Sequence, residues 1–166
     1  SIADYYLPPL LVPVLARGVQ SLILRVGNTE EMLDSCVRGE LDCALIEGIF
    51  HDEDFCSHVF HTASFLPVAA ANHPLAQGEH RLAELFHYPL ILREPGSGTR
   101  AILENQLFQF GSSPQAFAGL LECGSFRMIK ELLKQTSAIS FMYEQVAAQE
   151  VEAGELNDAE DQAQRF

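Results

Sequence analysis

The chain has 166 residues, 48% of them apolar, and its 23 acidic against 10 basic side chains give a formal charge of −13. That length is one domain, or two small lobes, with enough apolar content for a real core. The charge argues against this chain gripping a phosphate backbone by itself; no apolar run approaches the roughly 20 residues of a membrane helix, and no basic start with a long apolar stretch marks a secretory signal.

The chain opens as a helix. Leu10, Leu11, Val14 and Leu15 fall at helical spacing, Pro8 or Pro9 suits a helix start, Pro13 should bend or shorten it, and Gly18 ends it. Residues 21–26 read as a strand with Leu22, Leu24 and Val26 on one face. Asn28 then suits an N-cap, with Glu31 three residues on to complete a capping box. Met32, Leu33, Cys36 and Val37 form the buried stripe of that helix, and Gly39 stops it. Residues 41–46 read as a nearly continuous apolar strand, the pattern of one covered on both faces. Strand, helix and strand make a βαβ unit with parallel strands and a right-handed crossover. Ligands in such sheets sit past the carboxyl ends of the strands, here at Gly27, Asn28 and Thr29 and at Glu47 and Gly48.

Residues 55–61 alternate weakly, as a strand would, and 65–71 form an apolar extended run that ends in the turn Asn72-His73-Pro74. Residues 82–86 are a short helical turn and 89–92 a strand. That strand enters Arg93-Glu94-Pro95-Gly96-Ser97-Gly98-Thr99-Arg100, a glycine-rich turn opening the next helix. Its glycines let the backbone bend where a Cβ would clash, and its hydroxyls and free N–H groups suit a small anion. An equally open reading is that Ser97 or Thr99 merely caps the helix and nothing binds. After a break at 111–114, residues 120–123 are a strand with Gly124 and Ser125 at its end. A helix over 126–134 follows, then a strand over 138–142 and a helix over 143–152 ended by Gly154. Residues 157–166 are acidic and either fray or feed a strand.

One device recurs: a strand, a polar turn and a helix start, near Gly27, Gly96 and Gly124. Two α/β lobes facing each other, with helix N-termini pointing into the gap, would explain it. Lobe I would comprise 1–67 plus 154–166, and lobe II 68–153.

Other chemistry finds little support. Cys36, Cys43, Cys56 and Cys123 include no C-x-x-C pair and read as reduced thiols of a cytosolic protein. His51, His58 and His61, beside Asp52, Glu53 and Asp54, match no zinc spacing and read as a polar loop, so no metal is expected. Ser97 and Cys123 are candidate nucleophiles, and His73 and His87 candidate bases. No triad assembles from them, and neither an enzyme nor a cofactor is expected. Arg93, Arg100 or Arg127 could add positive charge to an anion site. The competing use is a salt bridge, which is favoured for Arg93.

Five segments occur in order: Ser-Ile-x-x-Tyr-x-Leu-Pro from Ser1, Gly-Asn-Thr-Glu-Glu from Gly27, Arg-Gly-Glu-Leu-Asp-Cys-Ala-Leu-Ile-Glu-Gly from Arg38, Asn-His-Pro-Leu-Ala from Asn72 and Arg-Glu-Pro-Gly-Ser-Gly-Thr-Arg from Arg93. Over nearly the whole chain this series resembles the effector-binding domain of LysR-type transcriptional regulators. It is most similar to the branch that includes regulators of carbon fixation and sulfur metabolism. The resemblance implies an α/β, periplasmic-binding-protein type 2-like fold of two Rossmann-like lobes around a ligand cleft, truncated at both ends. It implies a bacterial, cytoplasmic protein that forms homodimers or homotetramers. The N-terminal winged helix-turn-helix and linker helix of its complete form are absent from this sequence. It further implies effector contacts at Ser1, Asn28, Thr29, Ser97, Gly98, Thr99, Gly124, Ser125 and Phe126. Two departures stand out: Ser137-Ala138-Ile139-Ser140 replaces the usual Gly-x-Gly-Ile, which would narrow the cleft, and Pro13 is unusual. The implied function is an effector sensor. A small anion or carboxylate would bind between the lobes, and its binding would be transmitted to DNA through the missing domain, with no membrane partner. The alternative is a transporter's solute-binding receptor of the same fold, against which the lack of a secretory or anchor signal counts.

Overall fold

The computed structural model describes residues 2–48, 54–76 and 80–158. A π-helical segment, Ile2–Tyr6, runs into α1, Leu7–Ala16. Pro13 lies inside α1 without ending it, and the chain leaves the helix through Gly18 at φ 78°. That backbone conformation is free for glycine and strained for other residues. The helix α2, Thr29–Val37, begins as its sequence predicts. Asn28 Oδ1 accepts the Glu31 N–H at 3.0 Å, and the Glu31 carboxylate accepts the Asn28 N–H at 3.1 Å.

The strands expected on either side of α2 do not form. Residues 21–26 and 41–46 join no ladder among the described residues, and Ile23 and Val26 are 78% and 71% exposed. The reason is a missing neighbour: two strands and one crossover helix cannot cover both faces of a parallel pair, and such isolated pairs are marginal in water. A side-chain pair ties the first stretch to the residue just before the second, with Arg25 Nη1 3.0 Å from Glu40 Oε2. Residues 55–61 likewise form no strand.

The second half builds a five-stranded mixed sheet in the order β3-β2-β4-β1-β5. Its strands are β1 (Phe65–Ala70), β2 (Pro89–Leu92), β3 (Gly119–Glu122), β4 (Ile139–Tyr143) and β5 (Leu156–Asp158). The helices are α3 (Leu82–Leu85), α4 (Gly98–Gln109), α5 (Phe126–Gln135) and α6 (Glu144–Glu152). β2 runs parallel to β3 and β4, while β1 is antiparallel to β4 and β5. The pairing of Leu156 with Ala70 puts residues 156–158 in this sheet. The sequence assigns 154–166 to the first lobe, whereas this ladder joins 156–158 to β1.

Alternation along the central strands feeds two apolar layers. Ile91 and Met142 pack with Ile129, Leu133 and Val146 on the α5–α6 side. Leu90, Leu92, Ile139 and Phe141 pack with Leu85, Leu103 and Leu107 on the α3–α4 side. Both faces are therefore covered, as the continuous apolar runs at β2 and β4 require. Ser140 breaks the run. Its buried hydroxyl donates to the Ile91 carbonyl at 2.7 Å, which satisfies it. Lys130, 5% exposed, has its ammonium 2.7 Å from Glu150 and 3.0 Å from the Val146 carbonyl, and lies over the Tyr5 ring. That ion pair clamps α5 to α6 and seats the start of the chain against them.

Because β2, β3 and β4 are parallel, α4, α5 and α6 all begin at one edge of the sheet. Ligands of open α/β sheets bind at that edge.

Candidate functional site

The turn after β2 carries the site's second-half wall. Gly96 takes φ 84°, and α4 starts at Gly98 with Ser97 as its N-cap. Ser97, Gly98 and Thr99 are all buried. The Ser97 hydroxyl makes no capping bond, so the first-turn N–H groups of α4 keep their capacity to bind an acceptor.

The turn at the start of α2 lies directly against this wall. Glu30 donates its N–H to the Gly96 carbonyl at 3.2 Å. A Cβ on Gly96 would stand 3.2 Å from the Asn28 amide, and one on Gly98 would stand 2.6 Å from the Thr29 hydroxyl. Asn28, Thr29, Ser97, Gly98 and Thr99 thus meet, although the Asn28 side chain is already engaged in capping α2. Ser1 lies outside the described residues.

Gly124, Ser125 and Phe126 stand apart from that contact. Ser125 Oγ caps α5 by accepting the Met128 N–H at 3.4 Å, and Gly124 lies beside the Glu94 carboxylate. The Phe126 ring carries the Arg93 guanidinium 4.6 Å from its centroid. Arg93 in turn donates to Glu94 from two nitrogens, at 2.7 and 2.9 Å. Arg100 pairs with Glu104 and Glu122 at 2.8 and 2.6 Å. Of the three guanidiniums considered as anion partners, Arg93 and Arg100 are therefore committed to carboxylates.

The sequence places Glu47 at the ligand edge, past the second expected strand, without assigning it an effector contact; in the structure it joins both turns. Thr29 donates its hydroxyl to the Glu47 carbonyl at 2.8 Å, and Thr99 donates its hydroxyl to the Glu47 carboxylate at 2.5 Å. The same carboxylate helps push the Tyr143 phenol up to about 12, after burial as the main cause and with Tyr6 adding to it. Tyr6 is also raised, by burial first, then by Glu144 and Glu47. Both phenols thus keep their protons at neutral pH and can donate hydrogen bonds. The Tyr6 hydroxyl is buried and makes none among the described residues. The only signal for Glu47 in the sequence is its place at the end of the second expected strand.

Thr29 and Gly98 touch where two groups of residues meet. On one side lie Glu47, Thr99 and the two phenols. On the other is a cavity of 510 Å³ between α2 and α4, lined by Thr29, Gly96, Ser97 and Gly98 at its inner end. Its walls carry Glu30, Asp34, Asp54 and Glu104 against the single guanidinium of Arg100. That charge disfavours an anion there. The donors suited to an anion are on the Thr99 side. Among the described residues no group of three or more His, Cys, Asp or Glu could hold a metal. No helix there is long and apolar enough to cross a membrane.

Residues 1–164 match the family described as LysR substrate binding domain. An uncharacterized HTH-type transcriptional regulator of Escherichia coli K12, YeiE, is 30% identical over 159 residues, covering 95% of this chain and 53% of the relative. The HTH-type transcriptional regulator CbbR of Xanthobacter flavus is 28% identical, covering 94% and 47%. The chain thus spans about half the length of these curated relatives. Among solved structures, the Synechocystis CcmR regulatory domain in complex with 2-PG superposes with a TM-score of 0.82 at 24% identity, covering 94% of this chain and 74% of that one. This likeness places the chain in the α/β, periplasmic-binding-protein type 2-like fold.

Proposed function

The chain belongs to the LysR substrate-binding-domain family, and on that premise we propose that it is the effector-sensing part of a bacterial LysR-type transcriptional regulator. A small anionic metabolite is held between the lobes, at the Thr99 side of the contact between the α2 turn and the α4 turn. The two parts of the chain on either side, 1–67 plus 154–166 and 68–153, act as lobes that close on it. Binding shifts the balance between open and closed arrangements and so reorients DNA-binding heads carried elsewhere in a homodimer or homotetramer. The protein acts in the cytoplasm and catalyses nothing. DNA is reached only through the N-terminal domain of the complete protein.

One observation carries this reading: hydroxyls from both turns, Thr29 and Thr99, hydrogen-bond the same residue, Glu47. An anion held here meets neutral donors, namely hydroxyls and the N–H groups of the α4 start. Ser97, Gly98 and Thr99 supply those donors on one wall, with Asn28 and Thr29 on the other. Ser1, Gly124, Ser125 and Phe126 complete the proposed set from the family pattern.

A thermal-shift screen of small anions and metabolic acids tests it. A true ligand at a hundred times its dissociation constant stabilises the fold by about 2.7 kcal/mol. That stabilisation should vanish in Thr29→Ala and Thr99→Ala. A hit that survives both substitutions binds elsewhere and removes the cleft assignment.

A further inference from the structure

Glu47 brings a carboxylate to the place where the effector's own negative charge would be held. Its carboxylate takes the Thr99 hydroxyl and its carbonyl takes the Thr29 hydroxyl, so one residue of the first half uses donors from both walls. The approach is close enough to demand glycine on each side. A Cβ on Gly98 would stand 1.9 Å from the Glu47 carbonyl oxygen, and one on Gly48, at φ 107°, would stand 2.8 Å from the Gly98 Cα. No side chain fits at either position. The Glu47–Gly48 backbone therefore rests on the first turn of α4 because both residues lack a Cβ. The charge of Glu47 is also felt by the Tyr6 and Tyr143 phenols, which places it among the remaining donors of this edge.

From this geometry we infer that Glu47 is a resident carboxylate that holds the anion seat in the ligand-free protein and must be displaced by the effector, which makes it a specificity-determining residue of the sensor. The inference rests on the anion site proposed above and deepens it. Two negative groups cannot share one set of neutral donors without strong repulsion. A tethered carboxylate also competes at a high effective concentration. A simple monocarboxylate offers the same head group as Glu47 without the tether, so it exchanges poorly. An effector must bring more hydrogen-bond acceptors, or further contacts, than Glu47 already supplies.

Titration of the 166-residue chain with sodium sulfate and with sodium acetate, at low ionic strength and read by calorimetry, tests this. Glu47→Ala should bind sulfate about tenfold tighter than the unsubstituted chain, which frees the seat for an untethered anion. Adding Thr99→Ala to Glu47→Ala should abolish that gain. Glu47→Gln keeps the residue's size and removes its charge. It should tighten sulfate binding in the same direction even if the alanine variant folds poorly. Acetate should show the larger relative gain on removal of Glu47, because it mimics the group removed. If Thr99→Ala weakens sulfate binding but both Glu47 variants bind it as the unsubstituted chain does, the anion site stands and the resident-carboxylate role is overturned. If neither the unsubstituted chain nor any Glu47 variant binds an anion, the site itself fails and takes this inference with it.

Discussion

A single methyl group at position 98 would collide with the Glu47 carbonyl, whose oxygen lies 1.9 Å from where that carbon would stand. Backbone cannot move aside as a flexible side chain does. Gly98→Ala should therefore cost about 1–3 kcal/mol, the usual range for overpacking a tight contact, and calorimetric unfolding would show it as a lowered midpoint. An unchanged midpoint would mean that the two turns are not in contact in solution. His73 offers a second test. It is buried, its Nδ1 accepts the Leu75 N–H at 3.1 Å, and its Nε2 therefore carries the proton that faces the Ser137 carbonyl at 3.2 Å. Burial lowers its pKa from the ordinary 6.5, with the Ser137 carbonyl opposing and His80 adding to the shift. The folded chain resists a proton that the unfolded chain accepts. The stability tied to neutral His73 is thus full above 6.5 and falls as the pH drops below it. Urea midpoints measured from about pH 7 to about pH 5 should decline, and more steeply than in His73→Asn. Lys130 gives a third. Removing its partner in Glu150→Ala leaves an ammonium that is 5% exposed with only the Val146 carbonyl and the Tyr5 ring, for a loss of about 3–5 kcal/mol. Urea unfolding that shows a loss below 1 kcal/mol, about the worth of a surface pair, would mean that the pair is solvated.

Among the elements, α2 shows how one residue serves both fold and site. Asn28 caps the helix reciprocally with Glu31 while its amide stands near Gly96. Asn28→Ala should lose about 1 kcal/mol of stability, whereas Asn28→Asp keeps the cap. Chemical denaturation separates the two, and equal losses would mean that the cap adds nothing. The helices of the second half were legible for a related reason. Ser125, Gly96 and Gly154 mark starts, turns and stops by local chemistry that needs no distant partner. The strands β2 and β4 were legible as continuous apolar runs because both of their faces are covered. The stretch 41–46 carries the same signal and 21–26 an alternating one, yet neither forms a strand, because a ladder depends on a neighbour that no local pattern specifies.

Taken whole, the molecule has one layered half and one that, among the described residues, forms no sheet of its own. Ladder hydrogen bonds and two apolar layers hold the second half, while residues 19–26 are exposed and, with 41–46, join no ladder. Amide hydrogen exchange should follow this division, with residues 21–26 and 41–46 exchanging much faster than β2 and β4. Equal protection would mean that the first half gains a sheet in solution.

The sequence by itself determined the family, the turns and the helix starts, because each is written in short stretches of letters: Asn28 with Glu31, Gly96 with Gly98, Ser125 before a helix. Only the tertiary structure decided that Arg93 and Arg100 spend their charge on Glu94, Glu104 and Glu122, that residues 156–158 join the sheet beside β1, and that Glu47 sits on Thr29 and Thr99. The physical reason is range. Caps and turns are satisfied within one helical turn, whereas ion pairs, ladders and a carboxylate reaching across a cleft join residues that the chain keeps far apart until it folds.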